Sequence, residues 1–149
     1  MMKPAENSKE FLDVMRNWQA LEDKTIASAH DVIAKANNPL TKMAMELIKH
    51  DSEKHKVMLQ MIVDNITKEA VHLSPDELDQ LAEPLNRHME MESKSIATAH
   101  EALQKSELFM TRFILSYLID DETKHHEMIN KLLDELKTAS ISTSVGARL

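Results

Sequence analysis

DSEKHKVM at residues 51–58 and DETKHHEM at residues 121–128 are one motif written twice. A second pair, LEDKTIASAHD at 21–31 and MESKSIATAHE at 91–101, stands at the same offset of 70 residues. A constant offset across two separate blocks reads as an internal repeat. Within each block the apolar residues recur at steps of three and four, the period of one helix face. Between the blocks of the first repeat, Asn37-Asn38-Pro39 breaks the helix. Each repeat is therefore read as a helical hairpin. Two hairpins bring four apolar stripes, and a four-helix bundle buries all four. The expected fold is all-α, one bundle over residues 1–137, with repeat 1 at about 8–68 and repeat 2 at about 78–137. Residues 138–149 (TASISTSVGARL) are expected to form a disordered tail.

The composition agrees with long helices. One Gly and four Pro among 149 residues leave few breakers, and Leu, Met, Ala, Glu and Lys are abundant. Apolar residues make up 42% and aromatic residues 3%, so aliphatic and Met side chains must fill the core. The net charge of −7 argues against nucleic acid as a partner, because phosphates need a basic patch. No Cys is present, which excludes disulfides, thiolate catalysis and cysteine-ligated metal sites. No Gly-rich phosphate loop occurs. MMKPAENSKE at the start has no apolar signal core, and no run approaches the ~20 apolar residues of a membrane span. A cytoplasmic protein with no membrane partner is expected.

Helix 1 is expected over 8–36, with Ser8 or Asn7 as cap and a stripe of Met15, Trp18, Glu22, Ile26, Ala29 and Ile33. Helix 2 is expected over 39–66, capped by Asn38, with Ala44, Leu47, Asp51, His55, Met58, Ile62 and Ile66 inward. Ser74-Pro75-Asp76-Glu77 is a strong helix start, but Pro84 either interrupts that helix or begins a new one. Helix 3 then runs to about 105 with Leu85, Met89, Glu92, Ile96, Ala99 and Leu103 inward. Ser106 is expected to cap helix 4, which runs to about 137 with Asp121, His125, Met128, Leu132 and Leu136 inward.

Glu22, Asp51, His55, Glu92, Asp121 and His125 thus fall on apolar stripes. Burying ionised carboxylates is costly unless they are paired, hydrogen-bonded or metal-bound. Glu22 lies 16 residues before Asn38 and His55 lies 17 after it, so the two face each other at one level. Glu92 and His125 repeat the arrangement. Carboxylate oxygen and imidazole nitrogen together suit iron, manganese or zinc. Glu122-Thr123-Lys124-His125 is an E-x-x-H motif, with acid and imidazole on one helix face.

With these residues the sequence resembles the ferritin-like superfamily of di-iron carboxylate proteins, such as ferritins, bacterioferritins and rubrerythrins. Their pattern is Glu on helix 1, D/E-E-x-x-H on helix 2, Glu on helix 3 and D-E-x-x-H on helix 4. Glu22 and Glu92 fill the first and third places, and Asp121-Glu122-Thr123-Lys124-His125 fills the fourth. Helix 2 departs from the pattern, because Ser52 stands where a bridging Glu belongs. Asp51 either replaces that ligand or orients His55. The resemblance implies two irons, or a manganese pair, among Glu22, His55, Glu92, Glu122 and His125. It also implies an oxidoreductase acting on O₂, peroxide or Fe(II), with an unknown redox partner. A complete rubrerythrin is excluded by the missing Cys, and an iron-storing cage is not expected without a fifth helix. The family's connection between helices 2 and 3 crosses the length of the bundle. Residues 67–83 could make that crossing, whereas a helix beginning at Pro75 leaves too short a link.

Two other readings accompany this one. The cluster can be a metal-free network of buried polar groups on a degenerate scaffold, making the chain a structural or partner-binding bundle. It can also be a mononuclear zinc site using His55 and His125 with one or two acids. His30 and His100 are read as flanking the stripe. His50, His72, His88 and His126 are read as surface residues. A homo-oligomer, specifically a dimer, is expected because such bundles often pair.

Overall fold

The computed structural model describes residues 8–69, 71 and 74–146. Among these residues it contains four helices and no strand. They are α1 (Lys9–Lys35), α2 (Pro39–Thr67), α3 (Pro75–Gln104) and α4 (Phe109–Gly146). The chain divides into two compact units, residues 1–71 and 72–149. In the first unit α1 packs on α2, and in the second α3 packs on α4.

The helix starts follow local chemistry. Ser8 Oγ accepts from Phe11 N at 3.0 Å, satisfying one of the orphan amides of the first turn of α1. Asn38 Oδ1 accepts from Leu40 N at 2.8 Å and Thr41 N at 3.4 Å, with Pro39 at the first position of α2. At α3, Ser74 Oγ accepts from Glu77 N while Glu77 Oε2 accepts from Ser74 N, a reciprocal capping box. Pro84 neither ends nor starts a helix, and α3 runs through it. An interior proline removes a single ladder bond, and the rest of this 30-residue helix carries the continuation. Because α3 begins at Pro75, only residues 68–74 join it to α2.

One expectation about α4 is corrected. Ser106 does not cap it. The Ser106 hydroxyl donates back to Ala102 O at 2.7 Å, closing the end of α3, and α4 begins at Phe109. Arg112 Nη1 donates to Leu103 O and Ser106 O, both at 2.9 Å, so a cation satisfies carbonyls at the C-terminus of α3. The helix is 38 residues long and extends to Gly146. No Pro or Gly occurs in that stretch before Gly146.

The first unit is centred on Met15, Leu59 and Val63, with Phe11 and Leu12 packed against them. Ala29 is fully buried. Across the hairpin, Gln19 Nε2 donates to Lys56 O and to Gln60 Oε1, and Lys56 pairs with Asp23. In the second unit Ile129 and Leu133 are buried. On α1 Met15, Glu22 and Ala29 of the expected row are buried, but Trp18 is exposed; the expected row of α3 is buried or half-buried. On α2 and α4 the buried row is one residue later than expected. Ser52, Leu59 and Val63 are buried on α2, and Met58 and Ile62 are exposed. On α4 Ile129 and Leu133 are buried, and Met128 and Leu132 are exposed.

Candidate metal centre

The shift by one residue on α2 and α4 decides which acids meet. In the first hairpin Glu22 is buried. Its Oε1 accepts from Trp18 Nε1 at 3.0 Å, one turn earlier on α1. His55 Nδ1 lies 3.2 Å from the same oxygen, reaching across from α2. The buried Ser52 hydroxyl also donates to the carboxylate. Burial pushes the Glu22 carboxyl up, but the bonds from Ser52, Trp18 and His55 together outweigh it and hold its pKa below the ordinary 4.5. Asp51 does not join this group. It lies on the edge of α2, where Oδ1 is 2.8 Å from Lys54 Nζ. His55 is half-exposed.

In the second hairpin Glu92 is buried at 7% exposure. His88 Nε2 lies 2.9 Å from Glu92 Oε1, and His125 Nδ1 lies 3.5 Å from it. His125 Nδ1 is also 3.9 Å from Glu122 Oε2. Glu92, Glu122 and His125 each offer one ligand atom, and these atoms all lie within 4.8 Å of one another. Among the described residues no other group of three meets that condition. The second carboxylate oxygen, Glu92 Oε2, is buried with no hydrogen-bond partner among the described residues. Asp121 stands on the other side of the imidazole, with Oδ2 3.9 Å from His125 Nε2, outside the group of three.

A buried carboxylate with one oxygen unpartnered, facing a second carboxylate and an imidazole, fits a bound cation. An ionised pair of acids in this position repels unless a proton or a cation lies between them. Two carboxylates and a His are also a donor set that iron, manganese and zinc accept.

His88 was read from the sequence as a surface residue and is exposed, with a contact to the site that the reading did not include. Its ring is hydrogen-bonded to the buried Glu92. Two signals mark it in the sequence. It lies four residues before Glu92, one turn away on the same face. It also stands at the 70-residue offset from Trp18, a stripe residue. His30 and His100 are exposed, and His50 lies against Glu46 and Glu53 on the surface of α2. His72 lies outside the described residues.

Comparison with protein-family models, with curated proteins and with solved structures finds no match. The ferritin-like resemblance therefore stands on the residues alone.

Proposed function

We propose that the chain is a metal-binding helical protein of ferritin-like type, holding a transition-metal ion between α3 and α4 through Glu92, Glu122 and His125. The observation that carries this reading is the Glu92 carboxylate. It is buried, it has an oxygen without a partner, and it faces another acid and a His. His88 donates to Oε1, which fixes the carboxylate, and Oε2 is the unpartnered atom that would hold the ion. His125 brings a ring nitrogen from α4, and Glu122 brings a second negative charge from the preceding turn of the same helix.

Iron is the expected metal by resemblance, with manganese or zinc accepted by the same donors. When bound, the ion would supply Lewis acidity or, as iron or manganese, a redox couple toward O₂, peroxide or Fe(II). An oxidoreductase is the concrete form of the proposal, drawing on an unidentified redox partner. Duplication of one hairpin, assembly into a four-helix bundle, homodimerisation and a cytoplasmic location belong to the same proposal. Support for a protein without a membrane partner is that, among the described residues, no helix is long and apolar enough to cross a membrane.

A metal-free structural bundle is the second reading, and one observation favours it. Glu22 is a buried acid that accepts hydrogen bonds from Trp18, His55 and Ser52. Elemental analysis separates the two. Untagged protein is reconstituted with Fe(II), Mn(II) or Zn(II), desalted and compared with His125→Ala. Stoichiometric retention by the wild type, lost in the variant, is expected. A wild-type protein that retains none of the three metals would leave the structural reading in place.

A further inference from the structure

Glu22 and Glu92 stand 70 residues apart in the sequence and are equally placed in their hairpins. Both are buried. Each has Oε1 bonded to a ring nitrogen from the preceding turn, Trp18 Nε1 at 3.0 Å or His88 Nε2 at 2.9 Å. Each faces an imidazole Nδ1 from the partner helix, His55 at 3.2 Å or His125 at 3.5 Å. The surroundings part at the next offset pair, Ser52 and Glu122. Ser52 is 4% exposed and its hydroxyl donates to Glu22. Glu122 is an acceptor when ionised, so it donates nothing, and Glu92 Oε2 is left unpartnered.

We infer that the residue at this position, Ser52 in one hairpin and Glu122 in the other, decides which hairpin takes a cation. The chain then holds one divalent ion, between α3 and α4, and the Glu22 position is a closed hydrogen-bond network. This differs from the pair of ions that the family resemblance implies, and it rests on the metal reading proposed above. Ser52 gives the Glu22 carboxylate a proton donor and adds no negative charge to attract an ion. Trp18 reinforces the closure, because an indole N–H donates and has no lone pair for a metal. His88, at the matching place, keeps a ring nitrogen that can accept. The two halves therefore carry opposite solutions to one buried acid: donors in the first, a second acid in the other.

Zn²⁺ titration of the full chain by calorimetry, in a competing chelator that masks weak surface histidines, tests the inference. The expected counts of tight sites are one per chain for the wild type, two for Ser52→Glu, none for Glu122→Ser and one for the double exchange. In the double exchange the site has moved. The single Trp18 reports the move, since Co²⁺ bound beside Glu22 quenches its fluorescence in Ser52→Glu and in the double exchange. Trp18→His/Ser52→Glu, which copies both residues of the second hairpin, is made alongside and followed by far-ultraviolet circular dichroism with and without Zn²⁺. Helix content restored by Zn²⁺ counts as binding. A wild type with one site and Ser52-substituted chains that gain none, folded or unfolded in Zn²⁺, overturns this inference and leaves the metal reading standing. A wild type with two sites overturns it also. A wild type with no site removes the metal reading and the inference together.

Discussion

Glu22 spends its burial on three donors, and this gives the first hairpin a pH signature. Desolvation raises its pKa, and the bonds from Ser52, Trp18 and His55 more than reverse that rise. The folded-state pKa lies below the unfolded one. The stabilising contribution is therefore complete above the ordinary value of 4.5 and is lost as pH falls through the lower folded value. Urea denaturation of the wild type and Glu22→Gln at pH 7 and at a series of points below 4.5 checks this. The wild type is expected to lose more stability than the variant over the acid range, because other carboxylates, Asp64 among them, titrate equally in both. Parallel curves would show that the Glu22 bonds contribute nothing to folding. At the same scale, the sequence alone marked Glu22, Glu92, Glu122 and His125. It could not show that Asp51 turns to Lys54, nor that Ser52 is a working donor and not a missing ligand.

At the scale of the helix, α1 and α3 were legible and α2 and α4 were not fully so. On α1 and α3 the acids Glu22 and Glu92 themselves fall on the buried row, so the row chosen from the sequence is the one that packs, although Val14, Leu21, Leu81 and Met91 lie off it and are exposed. On α2 and α4 two adjacent rows are apolar. Met58 and Leu59, Ile62 and Val63, Met128 and Ile129, Leu132 and Leu133 offer nearly equal hydrophobic stripes. Periodicity cannot choose between adjacent rows, and anchoring the stripe on Asp51 and His55 selects the earlier one. Packing against the partner helix selects the later one, which carries Ser52 and leaves Val57, Met58, Met61 and Ile62 exposed. Paired substitutions test the row. Leu59 is 4% exposed and Met58 59% exposed. Leu59→Ala is expected to cost about 2–5 kcal/mol of unfolding free energy, as a buried truncation that leaves a cavity, and Met58→Ala about 0.5 kcal/mol or less. Equal losses would place both rows in the core and contradict this assignment.

For the whole molecule, two helical units of one chain carry matched buried acids in unlike chemical settings. The four helices, and the starts of α2 and α3, followed from the Asn37-Asn38-Pro39 break and the Ser74 capping box. The connection at 68–74 did not, because Ser74-Pro75 and Pro84 both read as helix starts and the choice depends on whether α3 tolerates an interior proline. The excess of acid over base, at a net charge of −7, also favours a cation as ligand over any phosphate-bearing partner. The claim that joins these scales is a metal ion held by Glu92, Glu122 and His125. Its most direct test is anomalous X-ray diffraction at the zinc edge from crystals of the full chain grown with Zn²⁺. One strong anomalous peak per chain is expected, at ~2.0–2.2 Å from oxygens of Glu92 and Glu122 and from a ring nitrogen of His125, with none beside Glu22. No peak at Glu92, or peaks confined to exposed histidines such as His30, His50 and His100, would contradict it.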